Sequence, residues 1–140
     1  MKARLLLTLG LALSAASCGG DGVISMVGGP PPTDAPTLTS LQSSIFTPQC
    51  AFPGCHAAPA PEQGMDLSAG NTFVDTVGVN ATELSGFKRV ASGNAADSYL
   101  YMKIAGDPRI LGDRMPLGGT LTPAQIGAVR AWIDAGALDN

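Results

Sequence analysis

Two cysteines and the chain's single histidine fall together in Cys50-Ala51-Phe52-Pro53-Gly54-Cys55-His56. A pair of thiols followed at once by an imidazole suits covalent attachment of haem. Each S–H adds across one vinyl group of the porphyrin, and the imidazole ligates the iron from one side. The familiar signature has two residues between the cysteines, whereas four lie between Cys50 and Cys55. On a regular helix each residue advances about 100°, so cysteines three apart lie about 60° apart and share a face. Cysteines five apart lie about 140° apart and cannot both meet one porphyrin edge. The segment is therefore expected to leave the helix. Pro53-Gly54 supplies the turn, letting the extra residues bulge while both sulfurs stay on one side.

The same three side chains admit two other chemistries. In an oxidising compartment Cys50 and Cys55 can form a disulfide, since the Pro53-Gly54 turn can bring their α-carbons within about 4.4–6.8 Å. His56 is then an exposed polar residue, and the domain a haem-free surface interaction module. A zinc site would draw two thiolates and one imidazole, but it lacks a fourth ligand and there is no second Cys/His pair. No G-x-S-x-G or P-loop is present, and His56 cannot serve both histidine-dependent catalysis and ligation. An electron-transfer protein is expected rather than an enzyme.

An iron held by one imidazole keeps a second axial position. Met115, in Gly112-Asp113-Arg114-Met115-Pro116-Leu117-Gly118-Gly119, is the candidate for it. A thioether must approach from across the ring on a chain that can lie flat, which a loop rich in glycine and proline does more readily than a helix interior. Met102 sits on an expected helix among inward-facing residues and reads as core packing. Met65, nine residues after His56, would have to reach round the ring edge. Arg114 is a candidate partner for a haem propionate, or else a solvated loop arginine.

The elements that must position these groups are mostly helical. Leu38, Leu41 and Ile45 recur at helical spacing, with Thr37 or Thr39 as cap and Pro48 as the expected end. Ala57–Gly64 reads as loop, and the stretch around Asn71–Val77 as a turn or a single helical turn. Val77–Val90 has weak β character, with Lys88 and Arg89 exposed. Asp97 or Ser98 caps a helix through Ile104, whose inner stripe is Leu100, Tyr101 and Ile104 and which Gly106 and Pro108 stop. The clearest helix starts at Thr122-Pro123-Ala124-Gln125, a cap, a first-turn proline and a capping-box glutamine. It buries Ile126, Val129 and Ile133 beside Trp132, and Gly136 closes it. The expected class is mainly α. Aromatic residues make up only 5% of the chain, so a large apolar cofactor would relieve a shortage of core material.

The N-terminus reads as export machinery. Residues 1–17 carry Lys2 and Arg4, then the apolar run Leu5–Leu13, then Ser14-Ala15-Ala16-Ser17. This is a secretory signal, too short to span a bilayer as a mature helix. Cys18 at its end resembles the lipidated cysteine of bacterial lipoproteins, although Ala15 stands where leucine is usual; ordinary cleavage nearby is the other outcome. Lipidation accounts for the odd cysteine count, and Gly19-Gly20 in place of an aspartate after Cys18 favours the outer membrane. Residues 18–36, with Gly28-Gly29-Pro30-Pro31-Pro32, form a disordered tether reaching roughly 50 Å. Residues 37–140 are the folded domain.

The segment Phe46–Asn140, about two-thirds of the chain, resembles the small cytochrome c-like domains of planctomycete and myxobacterial secreted proteins. The matching residues are Cys50, Cys55-His56, Met65-Asp66-Leu67, Ser98-Tyr99-Leu100, Lys103-Ile104, Arg114-Met115-Pro116, Leu121-Thr122, Trp132-Ile133 and Gly136-Ala137. The resemblance implies a helical fold around one covalent haem c, with His56 proximal and Met115 distal. The departure is the wider cysteine spacing. The net charge of −3 becomes −5 once Lys2 and Arg4 are removed, which excludes a nucleic-acid binder. The expected partners are weakly docking redox proteins and, through the lipid, a membrane on its periplasmic or cell-surface side.

Overall fold

The computed structural model describes residues 35–140. The signal segment 1–17, Cys18 and the tether through residue 34 lie outside the described residues. Helix α1 (Leu38–Leu41) starts at Thr37, whose hydroxyl accepts the Ser40 N–H at 3.1 Å. Helical backbone continues through a π-helical stretch, Gln42–Phe46, into α2 (Thr47–Gln49). The helical run ends at Gln49, one residue past Pro48 and just before Cys50, and Pro48 itself sits in the first turn of α2. A proline ring clashes with the carbonyl four residues back. The wider π turn opens the ladder at that point.

Helix α3 (Thr72–Thr76) is the single turn expected around Asn71–Val77. Its two threonines are buried and bonded: Thr72 Oγ1 donates to Gln42 Oε1 at 2.7 Å, and Thr76 Oγ1 to Thr72 O at 2.6 Å. The weak β character of Val77–Val90 amounts to isolated bridges between Val77 and Val90 and between Asn80 and Lys88. Among the described residues there is no sheet, and the protein is mainly α.

Helix α4 (Tyr99–Ala105) follows Ser98, but that hydroxyl does not cap it. Ser98 Oγ instead donates to Asn94 O at 2.8 Å and accepts the Ala91 N–H at 2.8 Å. The first α4 amides are taken by carbonyls: Tyr99 N–H by Lys88 O and Leu100 N–H by Arg89 O, both at 2.9 Å. Burial runs almost all round α4, with Tyr99, Leu100, Met102, Lys103 and Ile104 inside and Tyr101 half-buried. A three-residue stripe was too narrow an expectation, because a second apolar cluster (Ala81, Tyr99, Met102) covers the other face. The exposure expected of Arg89 is also wrong. Lys88 is exposed, but Arg89 is only 8% exposed, and three carbonyls satisfy its guanidinium.

Helix α5 (Pro123–Asp134) carries the full capping box on Thr122 and Gln125, with Pro123 in the first turn. It closes in a Schellman motif: Ala137 N–H to Trp132 O and Gly136 N–H to Ile133 O, both 2.9 Å, with Gly136 at φ +109°. Val129, Trp132 and Ile133 are buried and Ile126 half-buried, packing on α4 and α1. The main core unites these with Leu38, Leu41, Ile45, Phe46, Leu67, Val90, Leu100, Ile104 and Leu121. Asn140 folds back onto the start of α1, taking the Leu38 N–H on Oδ1 at 2.9 Å and the Thr39 N–H on its main-chain O at 2.8 Å. None of the described helices is long and apolar enough to cross a membrane.

Candidate functional site

The end of α2 delivers Cys50 to the core boundary. Its side chain packs against the main cluster with Ala51, while Phe52 stands 46% exposed. The chain then leaves the helix as the cysteine spacing requires. Cys55 N–H bonds Phe52 O at 2.9 Å, across Pro53 and a Gly54 held at φ +82°. Proline second and a positive-φ glycine third is the signature of a type II turn. The loop closes on its own start, since Cys50 O accepts both Phe52 N–H at 3.0 Å and His56 N–H at 3.2 Å. The turn thus returns the residue after the second cysteine to the first.

The two thiols meet different surroundings. Cys50 is half-buried and Cys55 exposed, and both are free. Burial, reinforced by the neighbouring Cys55, pushes the Cys50 thiol up to about 11, so it is a neutral thiol at physiological pH. A protonated thiol is a poor zinc ligand and a slow partner in disulfide exchange. Among the described residues no three His, Cys, Asp or Glu side chains gather to hold a metal ion.

His56 is half-buried, and its Nδ1 lies 3.2 Å from Met65 O. A carbonyl can only accept, so Nδ1 carries the proton in this bond and the neutral ring keeps its lone pair on Nε2. That is the tautomer a metal-ligating imidazole needs, with a carbonyl fixing the ring from behind. The segment 63–67 that supplies this carbonyl is tied on every side. Leu67 N–H bonds His56 O at 2.8 Å, Leu67 O accepts from Gln42 Nε2 at 2.8 Å, and Arg89 holds the carbonyls of Gln63 and Gly64.

Met115 lies half-buried against the same core cluster as Cys50 and Met65. Its loop hangs from the C-terminal end of α4, whose last carbonyls lack helical partners. Met115 N–H bonds Lys103 O at 3.0 Å, and Arg114 Nε bonds Ile104 O at 2.9 Å. Arg114 is exposed, and its stem crosses Gly106, where a β-carbon would stand 3.0 Å from Arg114 Cδ. With Nε engaged, any propionate contact falls to its terminal nitrogens. Met102, 1% exposed, belongs to the second apolar cluster, as core packing requires. Met65 contributes its carbonyl to His56, and its side chain packs on the main core cluster.

The residues present are chemically compatible with a covalent haem: an imidazole whose Nδ1 is taken by a carbonyl, two free thiols, and a thioether packed on the same core cluster as Cys50. Sequence reasoning missed Arg89 and Gln42, and it weighed Met65 only for its side chain. No local pattern marks these, because each acts on residues far along the chain. A groove of about 590 Å³ lined by Leu38, Gln42, Thr72 and Phe73 includes none of Cys50, Cys55, His56 or Met115. The chain matches no family model, no curated protein and no solved structure.

Proposed function

We propose that this protein is a one-electron carrier. Residues 37–140 would hold one covalent haem c through Cys50 and Cys55, with His56 and Met115 as axial ligands, on a lipid tether at Cys18 outside the cytoplasm. The observation that carries this is the His56 Nδ1 contact to Met65 O within a loop that returns to Cys50. The resemblance to small cytochrome c-like domains points the same way. When bound, haem supplies an iron that cycles between two oxidation states.

The chain's own residues supply the rest. Met65 O fixes the ring and tautomer of His56 and raises its basicity as a ligand. Cys50 presents a neutral S–H on an apolar floor. Met115 offers a soft thioether, which opposite histidine favours the reduced iron. Arg114 is exposed beside it, available to a carboxylate.

Expression in a host able to attach c-type haem tests this by intact mass. One haem per chain should appear, survive acid extraction, and vanish in Cys50→Ala/Cys55→Ala. The same spectrum reads the acyl mass on Cys18. A wild-type chain that matures with no haem and an intact Cys50–Cys55 bridge would sink the proposal in favour of the haem-free module.

A further inference from the structure

Arg89 is a buried cation that the proposed function leaves without a role. It is 8% exposed, yet no carboxylate lies among its hydrogen-bond partners. Burying an arginine without a counter-ion is costly unless its donors are filled. Here main-chain carbonyls take three of the five: Nη1 donates to Gly64 O at 3.2 Å and to Asp75 O at 2.8 Å, and Nη2 donates to Gln63 O. Two of these belong to a strained bend. Gln63 has φ +56° and Gly64 φ +59°, and a non-glycine residue in that region is disfavoured without support. The next carbonyl along is Met65 O, the acceptor for His56 Nδ1.

Arg89 also acts through its backbone. Its carbonyl accepts the Leu100 N–H at 2.9 Å at the start of α4. The far end of α4 carries the Met115 loop through Lys103 O. One residue thus fixes the strap behind His56 and the helix from which Met115 hangs.

We propose that Arg89 is a positioning residue. Its guanidinium holds the 63–65 bend so that Met65 O locks His56 in the Nδ1–H tautomer, ready to ligate through Nε2. This rests on His56 as the iron ligand, but its immediate consequence is readable without haem. His56 is the only histidine, so long-range ¹H–¹⁵N correlation on the full haem-free chain gives one unambiguous imidazole pattern. At a pH well above the imidazole range of about 6.5, wild type should show the Nδ1–H pattern.

Arg89→Gln, which cannot span three carbonyls, should shift His56 to the Nε2–H pattern that free histidine prefers. Arg89→Lys keeps the charge and three donors but on one nitrogen without the guanidinium's fork, so it should give at most partial retention. A folded Arg89→Gln that keeps the wild-type pattern overturns the proposal. If that variant does not fold, the wild-type protein decides. Its Arg89 Nη protons should be separately resolved and slow to exchange, and averaged, fast-exchanging Nη protons would overturn the clamp. Failure of haem attachment would remove the electron-carrier function while leaving the tautomer result intact. Haem attachment together with an unchanged tautomer in Arg89→Gln would do the reverse.

Discussion

At the scale of single residues the site is defined by protonation and by donor type. On the proposed haem ligation, Met115→Ala should abolish the sulfur-to-iron charge-transfer band of the ferric protein, open the sixth position to imidazole or carbon monoxide, and lower the potential. Met102→Leu should keep the band, because Met102 is 1% exposed in a separate cluster; a swap of similar volume costs below about 1.5 kcal/mol. Loss of the band in Met102→Leu or Met65→Leu, with Met115→Ala unaffected, would move the distal ligand. Cys50 makes a second residue-scale prediction. Its folded-state value, about 11, lies above the ordinary 9.0. The folded state therefore keeps a proton that the unfolded chain loses first. The contribution is fully present below pH 9 and declines as pH rises toward 11. Urea titrations of the haem-free protein should show this alkaline loss, and Cys50→Ala or the haem thioether should erase it.

Elements follow local rules to different degrees, and that decides what could be read from sequence. Helix α5 was legible to the residue, because cap, first-turn proline, capping box and closing glycine all act within a few positions. Thr122→Ala removes the side-chain acceptor for Gln125 N–H and should cost about 1 kcal/mol, measured as a shift in urea midpoint at unchanged slope. The turn at Pro53-Gly54 was legible for the same reason. Helix α4 was legible as a helix but not in its burial, since its second face is covered by Ala81, Leu84 and Phe87 from an irregular segment with no periodicity. Arg89 beside Lys88 reads as a solvated basic pair, and only the fold brings three distant carbonyls to it. The π-helical stretch before Pro48 has no pattern of its own. Of the proposed site, the sequence names candidate side chains, while the groups that hold them, Arg89, Gln42 and Met65 O, appear only in the fold.

The whole molecule is small and poor in aromatics, so a few polar links join its parts. Lys103, buried on α4, donates to Glu83 Oε2 at 3.0 Å and to Leu111 O at 2.9 Å, and Tyr99 OH donates to the same carboxylate oxygen. This joins the 83 loop, α4 and the loop leading to Met115. Glu83→Gln leaves a buried ammonium without its counter-charge and should cost about 1–3 kcal/mol, measured by urea unfolding. Lys103→Met strands Glu83 instead, but that carboxylate is the more exposed partner, 27% against 9%, and keeps the Tyr99 hydroxyl, so it should cost less than Glu83→Gln. The opposite order would show that the Lys103 donors, the one to Leu111 O included, matter more than the stranded ammonium. The exposed Arg130–Asp134 pair is the comparison, worth only about 0.3–0.5 kcal/mol.

The closure of Asn140 onto Leu38 and Thr39 makes the order of the chain separable from its shape. Position 140 lies beside the start of α1, so a short splice could join the two. The polypeptide could then be cut afresh in Leu117–Thr120, where every residue is exposed. Such a circular permutant keeps α1, α4 and α5 whole while giving the Met115 loop a free end. A fusion attached near residue 37 and one attached at residue 140 likewise occupy the same pole of the domain. Either can be chosen without changing which face the Cys50–His56 loop presents to a partner.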